Sequence, residues 1–559
     1  MARNIKAFLR QLNKPAVVVA LLHFVLGFLT DRIMFDYVWM DFTSTKNICK
    51  SLWAIGVKAG YLVLLLALWQ GIFYFVKKAD RTFVKIAIAY FLLQLCLLLL
   101  VWPGIWRMDE FSLLSNSVQL MPHFWQNYIT SVFYIYSMML LPFPAGVIIM
   151  QCVCISLVVA RMLTLCARSM KGRQKRPHLA AVLLVLPFLM FPVLDSNLYP
   201  LRMSLYAFLE VLLLAELYFY GEKETGQGNH MHESNAKDSN RHDNGQNSNG
   251  ETFFWARIVV LAAIVTVWRT EAIYYLLLFP LLLFLLERTS RKKKILLWRI
   301  GCYIILTVIL FSVQKVGEKM TSGQQYELTS TVLPLVPLVE EADKNGDDAL
   351  LARIDRVVNV DVVLEGAKQG RSGISLFWGE PDFQRDYTEE EFADFKSAYY
   401  KLILTYPGTF LKERWQTFLA SSGLLENTTE LFTAKGVPNY DTFRTYPLSK
   451  PISDELRTGV IKILELRSRQ DYMQKLPVTD FVYSAIPAIV ILIITFVICL
   501  AKRRWTAVYV TTLMLVKVPL VFLTAPSRLF MYYYSPYLFG YCALFYFLAC
   551  CGKRKGETS

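Results

Sequence analysis

An all-α polytopic membrane protein of about twelve transmembrane helices is what the sequence predicts, and three observations predict it. The first is composition: 55% of the 559 residues are hydrophobic and 14% aromatic, too apolar for a water-soluble globule. The second is the length and uniformity of the charge-free runs, many of roughly 16 residues or more, which do not alternate as the strands of an outer-membrane barrel would. In lipid such runs satisfy their backbone groups as helices. The third is where the bases lie. The formal charge of +15 is carried in short clusters between the runs, the pattern of a topology signal rather than of a nucleic-acid surface.

Those clusters set the orientation. Arg3, Lys6, Arg10 and Lys14 precede the first run, Lys77, Lys78, Arg81 and Lys85 follow the second, and Arg168, Lys171, Arg173, Lys175 and Arg176 follow the fourth. With these inside, spans are expected at about 16–34, 53–76, 86–104, 144–166, 178–195, 203–220, 253–268, 272–287, 295–313, 477–500, 506–524 and 531–550. Both termini are then cytoplasmic, in a cell membrane read as bacterial. Asp31 and Arg32 close the first run without a small-residue cleavage site, so it is expected to stay as a span. Cysteines such as Cys152 and Cys499 fall in apolar runs and read as small core residues; no disulfide or metal spacing emerges.

The connections divide the chain further. Residues 1–85 read as a two-span hairpin, and 86–220 as the first part of the main membrane module, with an outer loop at 105–143. Counting Tyr128 to Leu141 as a span would invert every later cluster, so Phe124 to Leu141 is expected as a surface-lying helix with Trp125, Tyr128, Tyr134 and Tyr136 at headgroup level. Residues 221–252 form a low-complexity, disordered cytoplasmic linker in which His230, His232 and His242 read as solvated. The membrane module resumes at 253–313. A mostly helical outer unit follows at 314–476, too long for a structureless loop, and 477–559 holds the last three spans and a basic tail. Within the outer unit, Thr388 and Glu391 make a capping box, Pro407-Gly408 separates two helices, and the apolar positions of both suggest a face on the membrane domain.

The site argument begins at residues 101–111, VWPGIWRMDEF, where a span ends and Asp109 and Glu110 stand side by side. The predicted topology puts Arg202, Arg269 with Glu271, and Arg528 on the same side. Charges at membrane depth need partners or a polar cavity, and internal pairing of Arg269 with Glu271 is the plainer explanation. The alternative is an outward cavity in which guanidinium forks face carboxylates, an arrangement suited to a lipid-linked phosphate or pyrophosphate and to proton removal from an attacking hydroxyl. His123, Glu271, Tyr532 and Tyr533 are placed beside it as supporting residues. A divalent metal is left open, with no ligand set identified.

This arrangement resembles the GT-C superfamily of membrane glycosyltransferases, particularly the members related to protein mannosyltransferases and aminoarabinose transferases. The resemblance rests on Asp109-Glu110 in RMDEF and on the surface-lying segment after it. It extends, on weaker motifs such as EEEFADFKSAYYKLILTYPGTFLKERWQTF, over most of the chain from about residue 86. It implies inverting transfer of a sugar from a polyprenyl-phosphate carrier to a cell-surface acceptor, with Asp109 as general base, Glu110 as acceptor or metal contact, and outward arginines corresponding to Arg202, Arg269 and Arg528. The N-terminal hairpin and the position of the long outer unit depart from the family's pattern and leave the acceptor open. Two other classes stay in view: a transporter or flippase, motivated by Glu210, Glu216 and Lys517 inside spans, and a surface-polysaccharide polymerase or ligase.

Overall fold

In the computed structural model, residues 13–35, 45–78, 80–124, 126–170, 176–200, 202–234, 246–287, 293–321, 325–423, 439–468, 474 and 476–551 are described. Helices follow one another almost without interruption. In order they are α1 (Lys14–Met34), α2 (Thr45–Lys78), α3 (Arg81–Leu100), α4 (Met108–Val118), α5 (Tyr128–Leu140), α6 (Ala145–Met170), α7 (Pro177–Leu189), α8 (Phe191–Asn197), α9 (Arg202–Ser234), α10 (Gln246–Trp268), α11 (Tyr275–Glu287) and α12 (Lys293–Thr321). The long segment then contributes α13 (Gln325–Thr329), α14 (Val332–Lys344), α15 (Asp348–Ile354), α16 (Val360–Lys368), α17 (Gly373–Gly379), α18 (Glu389–Thr405), α19 (Pro407–Ser421), α20 (Tyr440–Thr445) and α21 (Asp454–Leu464). The chain closes with α22 (Thr479–Val482), α23 (Ile486–Ala501), α24 (Trp505–Thr524) and α25 (Tyr534–Cys551). Among the described residues the only β pairing is one isolated bridge, Val358 to Gln384.

Among the described residues, nine helices are long and apolar enough to cross a membrane, or ten if α7 and α8, bent by 55° between Leu189 and Phe191, form one span. The count of twelve is therefore not reached on these grounds. The segments expected at 272–287 and 531–550 are the helices α11 and α25, which stand outside that set. Around the expected linker, α9 and α10 extend into it from both sides, and its centre, 235–245, lies outside the described residues, as do the His230, His232 and His242 side chains.

The chain forms two compact units, residues 1–240 with 430–476 and 544–559, and residues 241–429 with 477–543. In the first, α1 pairs with α2 and α3 with α6. Lipid gives apolar helices no reason to associate by burial, so polar contacts between them carry weight. Gln94 on α3 donates to Ser156 Oγ on α6 at 2.7 Å, and Asp31 of α1 pairs with Lys58 of α2, both almost wholly buried.

The α1–α2 hairpin also holds the segment that follows α3. Trp53 Nε1 donates to Leu120 O at 2.6 Å, Tyr61 Oη to Met139 O at 3.0 Å and Tyr136 Oη to Val57 O at 3.3 Å. Helix α5 starts later than the expected Phe124, at Tyr128, because Asn127 caps it by accepting from Ile129 N at 3.0 Å. Trp125 lies outside the described residues. The expectation that Tyr134 sits at headgroup level is corrected: its side chain is fully buried, its ring lies edge-on to Trp106, and its hydroxyl donates to Pro200 O at 2.7 Å. A tyrosine ring beside a buried indole and with its hydroxyl satisfied by the chain has no call for the headgroup layer.

In the second unit, helices α13 to α19 enclose an apolar core that includes Leu335, Val339, Phe383, Phe395 and Phe410. The expected capping box at Thr388 and Glu391 is present, and Pro407 opens α19 as a first-turn residue.

Candidate functional site

Span α3 ends at Leu100, and the strip 101–107 crosses to α8 and α21 before α4 begins. Ile105 N donates to Leu198 O at 3.0 Å, Trp102 Nε1 to Leu448 O at 2.8 Å, and Arg457 Nη2 reaches Gly104 O at 3.1 Å. Three stretches far apart in sequence, the one carrying the acid pair, the one before α9 and the end of the long segment, thus meet in one unit.

The acid pair is split by the helix that carries it. Both carboxylates occupy the first turn of α4, where unpaired backbone N–H groups favour negative charge. Asp109 is exposed, whereas Glu110 is 2% exposed and accepts from Arg107 N at 3.1 Å. Burial first, and then the neighbouring Asp109 charge, push the Glu110 carboxyl up to about 7, with the Arg107 guanidinium opposing the shift. Arg107 lies over the Tyr199 ring at 4.3 Å and donates to Tyr199 Oη at 2.6 Å. That hydroxyl donates in turn to Glu465 Oε1 at 3.2 Å, and Arg467 Nε stands 3.6 Å from Glu465 Oε2. The result is a largely buried network, joined through the Tyr199 hydroxyl, that leads from Arg107 beside the acid pair to Glu465 and Arg467 just past α21.

Beside it lies a cleft of about 200 Å³. One wall is Pro103, Gly104 and Trp106; the other carries Tyr440, Arg444, Ser449, Asp454 and Arg457. Helix α20 is fixed against the acid-bearing helix by Phe443, whose ring is 4.9 Å from Phe111 and 5.1 Å from Trp106. Beyond Arg444 the cleft continues into a more open hollow of about 520 Å³ that adds Trp102 and Lys450. Guanidinium groups, an ammonium and aromatic faces on one surface suit a phosphate carrying a sugar or a lipid.

The other expected site residues divide. Arg202 opens α9, and its side chain lies outside the described residues. His123 precedes α5 and donates its N–H to Ser131 Oγ at 2.7 Å. Arg269, Glu271, Arg528, Tyr532 and Tyr533 belong to the second unit. There Arg269 is buried, ion-paired with Glu271, and stacked over Tyr532 at 5.5 Å, so the plainer explanation offered for that turn is the arrangement found. Arg528 is half-buried and Tyr533 fully buried. Of the charges inside spans, Glu216 pairs with Arg161 at 2.7 Å, Lys517 donates to Ser535 Oγ at 3.2 Å, and Glu210 is fully buried.

Among the described residues no group of three or more His, Cys, Asp or Glu side chains is placed to hold a metal ion. Asp109 faces solvent while Glu110 is committed to the backbone of its own helix, so the pair does not form a metal cradle. Sequence reasoning missed Arg107, Tyr199, Arg444, Arg457 and Glu465. The signal for Arg107 was its place beside the acid pair; for Arg444 and Arg457 it was only the run of aromatic and basic residues after Asn439.

No protein-family model matches this chain, and searches of curated proteins and of solved structures find no match either.

Proposed function

We propose that this protein is a membrane glycosyltransferase of the GT-C type, moving a sugar from a polyprenyl-phosphate carrier to a hydroxyl-bearing acceptor at the outer face of the cell membrane. The observation that carries the reading is that the strip 101–107, which leads directly into the acid pair of α4, lines through Pro103, Gly104 and Trp106 the same cleft as Arg444 and Arg457. In the reaction the acceptor oxygen attacks the anomeric carbon, and its proton passes to Asp109, the exposed carboxylate. The bond from that carbon to the phosphate oxygen breaks, and the electron pair leaves with the lipid phosphate, whose charge Arg444, Arg457 and Lys450 face. The bond from Arg107 N–H to Glu110 holds the first turn of α4, which carries Asp109. No step runs through a metal.

The test is release of polyprenyl phosphate from a panel of polyprenyl-phosphate hexoses by membranes containing the protein. Asp109→Asn should lower the rate by about 10²–10⁴-fold, the usual contribution of a general base, in protein whose expression and folding are checked separately. Undiminished turnover by the Asn variant would remove Asp109 from the mechanism.

A further inference from the structure

We propose that α19 and the end of α18 form an interfacial element whose outward face rests in the headgroup layer of a phospholipid leaflet. This is independent of the transfer reaction above and rests on the second unit alone. Helix α19 is fixed to the ends of two adjacent spans. Arg414, fully buried and ion-paired with Glu413, donates through Nη1 to Ala525 O at 2.8 Å, and Ala525 is the residue that ends α24. At the C-terminal end of α19, Ser422 O accepts from Ala485 N at 2.8 Å, and Ala485 is the residue that begins α23. Spans α23 and α24 are antiparallel neighbours, so those two ends lie on the same face of the membrane. Arg414 and Ser422 are eight residues apart, about 12 Å of helix, close to the roughly 8–10 Å between the axes of packed helices. The helix therefore runs across both span ends at the depth where lipid gives way to water.

Part of its remaining surface is apolar and open. Leu411 and Trp415, one turn apart, are 50% and 54% exposed, and Leu404 and Tyr400 on α18 are 80% and 61% exposed. They are continuous with the flank of a span: the Trp415 ring is 5.5 Å from Phe418, which is 6.1 Å from Phe522 in the last turn of α24, beside exposed Leu523. An indole at the edge of an apolar band is the common interfacial anchor. Charge fits the same occupant. Between residues 395 and 421 the only acid is Glu413, turned inward, whereas Lys401 and Lys412 are exposed and placed for lipid phosphates.

The experiment uses the full chain in nanodiscs of phosphatidylcholine and phosphatidylglycerol, with and without acyl chains brominated near the headgroup. Subtracting the emission of W415F from that of the unaltered protein isolates Trp415. Loss of most of that emission in brominated lipid, with little effect of aqueous iodide, is the expected result. Quenching by iodide but not by bromine, a water-facing indole, overturns the proposal. Protection from both, as contact with a second copy would give, overturns it as well. Should W415F not accumulate, a diazirine-bearing phospholipid followed by peptide mapping decides: crosslinks within 400–416 support the proposal, and crosslinks confined to the spans refute it.

Discussion

Replacing Glu110 with glutamine should stabilise the protein at neutral and alkaline pH and flatten part of its stability profile. In the folded chain the Glu110 carboxyl titrates at about 7 rather than at its ordinary 4.5, because burial and the Asp109 charge disfavour its ionised form. The folded protein thus holds this proton more tightly than the unfolded chain does. Stability contributed by the protonated group is fully present below about pH 4.5, declines as pH rises through the interval, and is gone above about pH 7. At about 1.4 kcal/mol per unit, the difference across the window comes to about 3 kcal/mol. Glutamine keeps a carbonyl oxygen for the Arg107 N–H and cannot ionise, so E110Q should match the unaltered protein near pH 4.5 and exceed it by up to about 3 kcal/mol at pH 8. Unfolding in mixed micelles of dodecyl sulfate, followed by tryptophan emission at a series of pH values, measures the difference and cancels every other titrating group. Parallel profiles for the two proteins across that range would refute the argument.

Tyr199→Phe removes one hydroxyl that bonds both Arg107 and Glu465; with charged partners on both sides the expected loss is about 2–4 kcal/mol in the same unfolding assay. Asp31→Asn leaves the Lys58 ammonium buried without its counter-charge and should cost about 3–5 kcal/mol, while replacing both residues together by Leu and Met should recover most of it. Cysteines introduced at Ser112 and Ser290 should report opposite sides of the membrane to an impermeant maleimide, Ser112 labelling from outside and Ser290 only after lysis; the reverse would turn the topology over.

The class of the chain, a helical protein with several helices apolar enough to cross a membrane, was legible in the residues themselves. Long apolar runs commit a backbone to helix because lipid offers it no hydrogen bonds, and basic clusters assign sides because their charge is costly to translocate. Those are local properties, and so are Thr388 with Glu391 and the break at Pro407. Exposure of Asp109 and burial of Glu110 were not legible: adjacent residues on a helix point about 100° apart, and which direction is inside depends on what packs against the helix. The cleft was less accessible still. Arg457 and Gly104 are 353 residues apart, and neither is unusual in its own stretch; only the closure of 430–476 onto the first unit makes them neighbours. Conversely, Arg269 looked like a site residue because an arginine at a span edge demands a partner, and the fold answers that demand two residues along the chain, with Glu271. Sequence by itself determined that this protein lives in a membrane as a bundle of helices, since solvation of the backbone and of single side chains is decided locally. Which charges confront one another was decided by tertiary contact alone, because a Coulomb interaction depends on separation in space and is indifferent to separation along the chain.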